Sequence, residues 1–127
     1  MAPGKKIFIV DDDMMLATML ADHLRATTPH QVSVFRTGEE CLAQLHHGPD
    51  LVVLDYHLNN EVRDAADGAR ILERIKRLDR HVQVIMLSGQ DRYGVALGTV
   101  QKGAAHYVVK GKGQFEEIGR IVKGMLG

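Results

Sequence analysis

Cysteine is almost missing from this chain: Cys41 stands alone in 127 residues. No disulfide framework and no cysteine-based zinc site can form within one such chain, which fits a reducing compartment. Cys41 itself reads as a small buried apolar residue. An excess of one charge is missing too. Lys plus Arg number 16 and Asp plus Glu 16, so the basic surplus of a general nucleic-acid-binding surface is absent. No apolar run approaches the roughly 18 residues of a membrane span. No secretory leader pattern is visible, because the first apolar run, Ile7 to Val10, ends in three aspartates. Repeats, low-complexity stretches and linker-like segments are also absent. The expectation is a single cytoplasmic domain over 1–127 with a loose tail at 1–4. It has no effector domain, no membrane segment and no direct contact with nucleic acid.

What is present is organised around Leu51-Val52-Val53-Leu54-Asp55. A short apolar run bounded by Pro49 and Asp50 suggests a strand buried on both faces. Asp55 stands where that strand leaves the sheet, which is where open α/β sheets collect ligands and chemistry. Further strands are expected at Lys6–Val10, Val82–Ser88 and His106–Val109, and an alternating one at Gln31–Phe35. Between them lie helical patterns. Leu16, Met19, Leu20 and Leu24 mark a helix from Met14 to Ala26, with Asp13 placed to cap it. Thr37-Gly38-Glu39-Glu40 fits a capping box ahead of a helix reaching about His46. Ile71, Leu72, Ile75 and Leu78 mark the next helix. Asp91 to Lys102 is a weak helix closed by Gly103, and Phe115, Ile118, Ile121, Val122 and Met125 form the last stripe. Strand-helix repeated five times implies α/β architecture: a doubly wound parallel sheet of five strands with helices on both faces. The six methionines are expected as core filler.

Four strand ends carry reactive groups: Asp11, Asp12 and Asp13, then Asp55, then Ser88, then Lys110. Parallel strands would gather them on one edge of the sheet. Crowded carboxylates repel and call for a cation. A hard divalent ion with oxygen ligands answers that call, and Mg²⁺ is the usual one beside phosphate. Lysine and hydroxyl complete a cradle for a phosphoryl group, whose transfer needs mostly positioning and charge neutralisation. Asp55 could then act as a nucleophile forming an acyl phosphate. The plain alternatives are a strand-end turn for Asp11 and Asp12, a helix cap for Ser88, a solvated side chain for Lys110 and a core aromatic for Tyr107. Asp13 reads as a helix cap.

The runs Ile7-Phe8-Ile9-Val10-Asp11-Asp12, Asp50 to Asp55, Val84-Ile85-Met86-Leu87-Ser88-Gly89 and Gly103 to Lys110 together resemble the receiver domain of two-component response regulators. The resemblance covers nearly the whole chain. It implies a flavodoxin-like strand order 2-1-3-4-5. It implies that Asp55 accepts phosphate from a sensor histidine kinase or a histidine phosphotransfer protein. Asp11, Asp12 and Asp55 would bind Mg²⁺ with the backbone carbonyl of His57. Ser88 would contact the phosphoryl group, Lys110 would pair with it, and Tyr107 would be the aromatic that changes rotamer on switching. Such a domain catalyses only its own phosphorylation and dephosphorylation. Its output runs through a downstream protein partner or an effector domain elsewhere, and a homodimer through the last two helices and the last strand is a further arrangement open to it.

Three departures concern loops. Asn59 replaces the proline usual four residues after the acceptor. The Asp67-Gly68 pair puts the glycine 13 residues after Asp55 rather than eight, so the loop there is about five residues longer and is a candidate partner or lid element. Gly111 follows Lys110 in place of proline. A cis bond before a residue other than proline costs roughly 2.5–4 kcal/mol, so a trans bond with Gly111 in an unusual backbone conformation is expected.

Two other readings compete. A haloacid-dehalogenase-type phosphatase would use Asp11-x-Asp13 with Ser88 and Lys110. It needs a further acidic pair after the lysine, where only Glu116-Glu117 in a helical pattern is found, and it leaves Asp55 idle. A receiver-like binding module that never takes phosphate would typically lack an acid or the lysine, and all are present here.

Overall fold

The computed structural model describes residues 4–58, 67–89 and 93–127. Five strands alternate with five helices: β1 Lys6–Val10, α1 Met14–Thr27, β2 Gln31–Phe35, α2 Gly38–Ala43, β3 Leu51–Asp55, α3 Gly68–Leu78, β4 Gln83–Ser88, α4 Tyr93–Gln101, β5 His106–Val109 and α5 Gln114–Leu126. The strands form one sheet in the order β2-β1-β3-β4-β5, and every neighbouring pair is parallel. The expected fold class and strand order are thus the observed ones. The long segment after the acceptor strand, 59–66, lies outside the described residues.

The apolar runs are continuous because both faces of the sheet are covered. Ile7, Ile9, Leu51, Val53, Ile85 and Leu87 pack on one side with Leu20 and Leu24 of α1 and Ile118 and Val122 of α5. Phe8, Val10, Val52, Leu54, Val84 and Met86 pack on the other with Cys41, Ile71, Leu72 and Ile75. Each fully buried aliphatic side chain contributes roughly 1.5–3 kcal/mol relative to exposure, so the register that aligns them is strongly specified.

Side-chain caps set three helix starts. Asp13, Thr37 and Asp67 accept from the backbone N–H groups of Leu16, Glu40 and Arg70. The second helix is shorter than expected. It stops at Ala43, and Leu45–His47 continue as a 3₁₀ turn that Gly48 closes at φ 73°. The tighter turn swings Leu45 into the core, where it is 7% exposed. Gly4, expected in the loose tail, packs on the backbone of Pro29.

Two stripe residues turn outward. In α1 the buried set is Ala17, Leu20, Ala21 and Leu24. At 3.6 residues per turn Met19 lies about 150° from the centre of that set, and it is 52% exposed. The small Ala17 and Ala21 face the sheet instead and permit a close approach. Leu78 ends α3 and is 66% exposed; it borders a cleft of about 370 Å³ with Leu42 and Leu45. The methionines are not uniformly core filler either. Met86 is fully buried, but Met14 and Met15 join Met19 on the surface.

Candidate functional site

The carboxyl ends of β1, β3, β4 and β5 meet at one edge. β1 stops at Val10, and the Asp11 N–H then donates to Phe35 O at 3.1 Å, carrying the pairing with β2 one residue further. Asp11 and Asp12 follow, 2% and 5% exposed. The Asp13 N–H donates to Asp11 Oδ1 at 2.9 Å, fixing that carboxyl while the Asp13 side chain caps α1. Asp55 closes β3 opposite Leu87 of β4. Its carboxylate accepts a long hydrogen bond, 3.4 Å, from the His57 N–H. Ser88 closes β4 and is fully buried. The Lys110 N–H donates to Ser88 O at 2.7 Å, extending the ladder past Val109.

Lys110 Nζ lies 3.1 Å from Asp55 Oδ1 and 3.6 Å from Asp11 Oδ2. Asp11, Asp12 and Asp55 each turn a carboxylate oxygen toward the others, all within 4.8 Å. The sheet therefore gathers the expected acids and lysine. Tyr107, two residues before the end of β5, is half-buried against the core beneath α2 and α3. His57 is half-buried, its ring edge-on to Tyr56 with centroids 5.0 Å apart.

The electrostatics follow from crowding away from water. Burial first, then the neighbouring Asp55 charge, push the Asp11 carboxyl up to about 7. Burial also raises Asp55, against the opposing pull of Lys110. Burial works to lower Lys110, but the attraction of Asp55 and Asp11 prevails and holds its pKa above the usual lysine range. Three buried carboxylates brought this close, two of them with raised affinity for protons, make a cluster suited to a hard cation. The donor set fits a divalent metal.

Asp13 does not join Asp11 and Asp55. It is exposed and engaged in capping, so the paired acids of the phosphatase reading are not assembled. The Lys110–Gly111 bond is trans, and Gly111 takes φ 158°, a conformation that L side chains rarely adopt, as Gly111 in place of proline predicts. Gly113 at φ 82° then opens α5. One close contact had no sequence signal beyond a glycine: Gly68, the first residue of α3, lies against the backbone of Asp55 and Tyr56.

The sequence pattern of the response regulator receiver domain matches residues 7–122. Chemotaxis protein CheY of Bacillus subtilis is 28% identical over 106 residues, covering 83% of this chain and 84% of that one. The DNA-binding response regulator MtrA of Mycolicibacterium smegmatis is 35% identical over 108 residues, covering 84% of this chain and 44% of its own. Among solved structures, the BeF₃-activated DrrB receiver domain superposes with a TM-score of 0.82 at 28% identity, covering 96% of this chain and 97% of that chain. The receiver domain of NtrX from Brucella abortus shares the fold, with a TM-score of 0.83 at 24% identity over 94% of this chain and 97% of that one. Sheet order, strand-end chemistry and these likenesses agree: the chain belongs to the response regulator receiver domain family, the phosphoacceptor module of two-component signalling.

Proposed function

We propose that Asp55 is the phosphoacceptor of this domain and that Asp11, Asp12, Ser88 and Lys110 serve its reaction. The observation that carries this reading is the Lys110–Asp55 pair, 3.1 Å apart beside Asp11 at the sheet edge. In this reading an Asp55 carboxylate oxygen forms a bond to phosphorus as the phosphorus–nitrogen bond of a phosphohistidine breaks. The imidazole leaves with the electron pair. Lys110 offers a fixed positive charge to the phosphoryl oxygens, and Ser88 a hydroxyl donor. Buried walls limit water at the acyl phosphate. Asp11, Asp12 and Asp55, with the backbone carbonyl of His57, would hold Mg²⁺. Bound there, the ion would neutralise charge on carboxylates and phosphate alike. The domain thus catalyses only its own phosphorylation and dephosphorylation.

A receiver domain implies a histidine kinase or histidine phosphotransfer protein as donor. For output, we read Tyr107 as the switch and the surface of α4, β5 and α5 as the face that changes. Exposed Leu97, Val100 and Val109 support this reading, since they leave apolar area there for a downstream partner, an effector domain or a second copy. Among the described residues no helix is long and apolar enough to cross a membrane, and with the lone free Cys41 we take the domain to work in the cytoplasm.

The test is incubation with acetyl phosphate and Mg²⁺ followed by mapping of the adduct. One phosphate on Asp55, and none on the Asp55→Asn variant, is the expected result. Full labelling of that variant, or an adduct at another residue, overturns the assignment.

A further inference from the structure

Gly68 is buried at the start of α3. Its φ is not positive, so its backbone is open to any residue, and the reason for glycine there is space. A Cβ on Gly68 would lie 2.7 Å from Tyr56 Cα and closer still to the Asp55 carbonyl oxygen, inside the 3.0 Å that real Cβ atoms keep. Both are backbone atoms that cannot turn aside as a side chain can. The Gly68 N–H donates to Tyr56 O at 2.8 Å, and the Tyr56 N–H donates to Leu87 O at 2.9 Å. The Tyr56 backbone that follows Asp55 is therefore held from two sides, its N–H by β4 and its carbonyl by the first residue of α3. Leu58, fully buried, anchors the same stretch just beyond.

We infer that Gly68 is a positioning residue for the phosphoacceptor: its bare backbone lets α3 dock directly on the Asp55–Tyr56 peptide and fix the aim of the Asp55 carboxylate toward Lys110 and Asp11. The inference rests on the reading of Asp55 as acceptor. Glycine here sits 13 residues beyond Asp55, so what the geometry selects is contact in space rather than a fixed sequence offset. A side chain at this position pushes the acceptor's own backbone, and displacements on the order of 1 Å cost as much as about 100-fold in rate.

Gly38 supplies the control. It is also buried, and a Cβ there would collide with the Ile71 side chain of the same helix α3, not with Asp55. Gly68→Ala, Gly38→Ala and the unaltered chain are compared at a temperature where all are folded. Read out are thermal unfolding, the rate of Asp55 labelling by acetyl phosphate, and Mg²⁺ affinity by calorimetry. Both variants should lose stability. Only Gly68→Ala should label at least tenfold more slowly and bind Mg²⁺ at least threefold more weakly, with Gly38→Ala within twofold of the unaltered chain. Equal losses in the two variants, or a Gly68→Ala rate within twofold of the unaltered chain, overturn the inference. If Gly68→Ala does not fold, Asp67→Ala decides. It removes the cap on Arg70 N–H and loosens the same anchor without crowding Asp55: a threefold fall in labelling supports the inference and no change overturns it. Failure of the unaltered chain to label Asp55 overturns the phosphoacceptor reading instead, and the Mg²⁺ affinities then decide the positioning role alone.

Discussion

Lys110 Nζ lies 3.1 Å from Asp55 Oδ1, joining the ends of β5 and β3 across β4. The pair is partly shielded: the lysine side chain is 25% exposed and the aspartate 2%. Breaking a buried pair leaves an uncompensated charge. Lys110→Ala should cost about 3 kcal/mol at pH 8 without metal, and less at pH 5, where Asp11, one of the two carboxyls it neutralises, holds its proton. Denaturant titration at both pH values checks this, and equal losses at the two would count against it.

The raised acids set a pH dependence of their own. Asp11 binds its proton up to about pH 7 in the folded chain, against an ordinary value of 3.8. The folded state therefore holds more protons than the unfolded state across that window, and stability must fall as pH rises through it. The contribution is fully present below the ordinary value and lost above about 7. With chelator present, the domain should be more stable at pH 5.5 than at pH 8 by an amount on the order of 1–3 kcal/mol. Saturating Mg²⁺ should erase the difference, and Asp11→Asn should flatten it. A metal-free stability that climbs between those pH values would contradict the assignment.

Ile75 and Leu78 share one hydrophobic stripe in the sequence and part company in the fold, at 0% and 66% exposure. Ile75→Ala should cost about 2–5 kcal/mol through lost burial and the cavity left behind. Leu78→Ala should cost under about 0.5 kcal/mol. Urea melts of both variants settle the contrast.

Gly98 lies inside α4, and a Cβ added there meets nothing within 4 Å. Gly98→Ala should stabilise the domain by up to about 1 kcal/mol. It should also slow amide exchange in α4 and reduce the difference in exchange that a phosphate mimic produces there. A destabilised variant, or an unaltered α4 response, would remove α4 from the switching surface.

Cys41 is fully buried, and burial pushes its thiol up to about 12. Thiol reagents should leave it untouched in the native state and react only through opening. Its labelling rate should then track denaturant-induced unfolding. Fast labelling under native conditions would show that α2 opens locally.

Composition and order carried much of this in one dimension. Apolar runs named the central strands because a sheet covered on both faces demands them, and the alternation of Gln31–Phe35 named the edge strand β2. The alternation of strand and helix named the parallel architecture, and acids, serine and lysine at strand ends named the chemistry. Asp13 and Thr37 announced two helix starts because capping is local, while the matching cap by Asp67 showed only in the structure. The sequence also predicted the trans bond before Gly111, since the cost of a cis amide is set by the residue alone. Contact between distant segments decided the rest. Met19 faces outward because Ala17 and Ala21 let α1 approach the sheet on a different line. Leu78 is bare because α2 ends in a 3₁₀ turn and leaves a cleft beside it. The proton affinity of Asp11 exists only once Asp55 is folded against it away from water. Gly68 looks like any helix-opening glycine until α3 docks, and its contact with Asp55 depends on where two segments 13 residues apart meet in space, which local propensity does not encode.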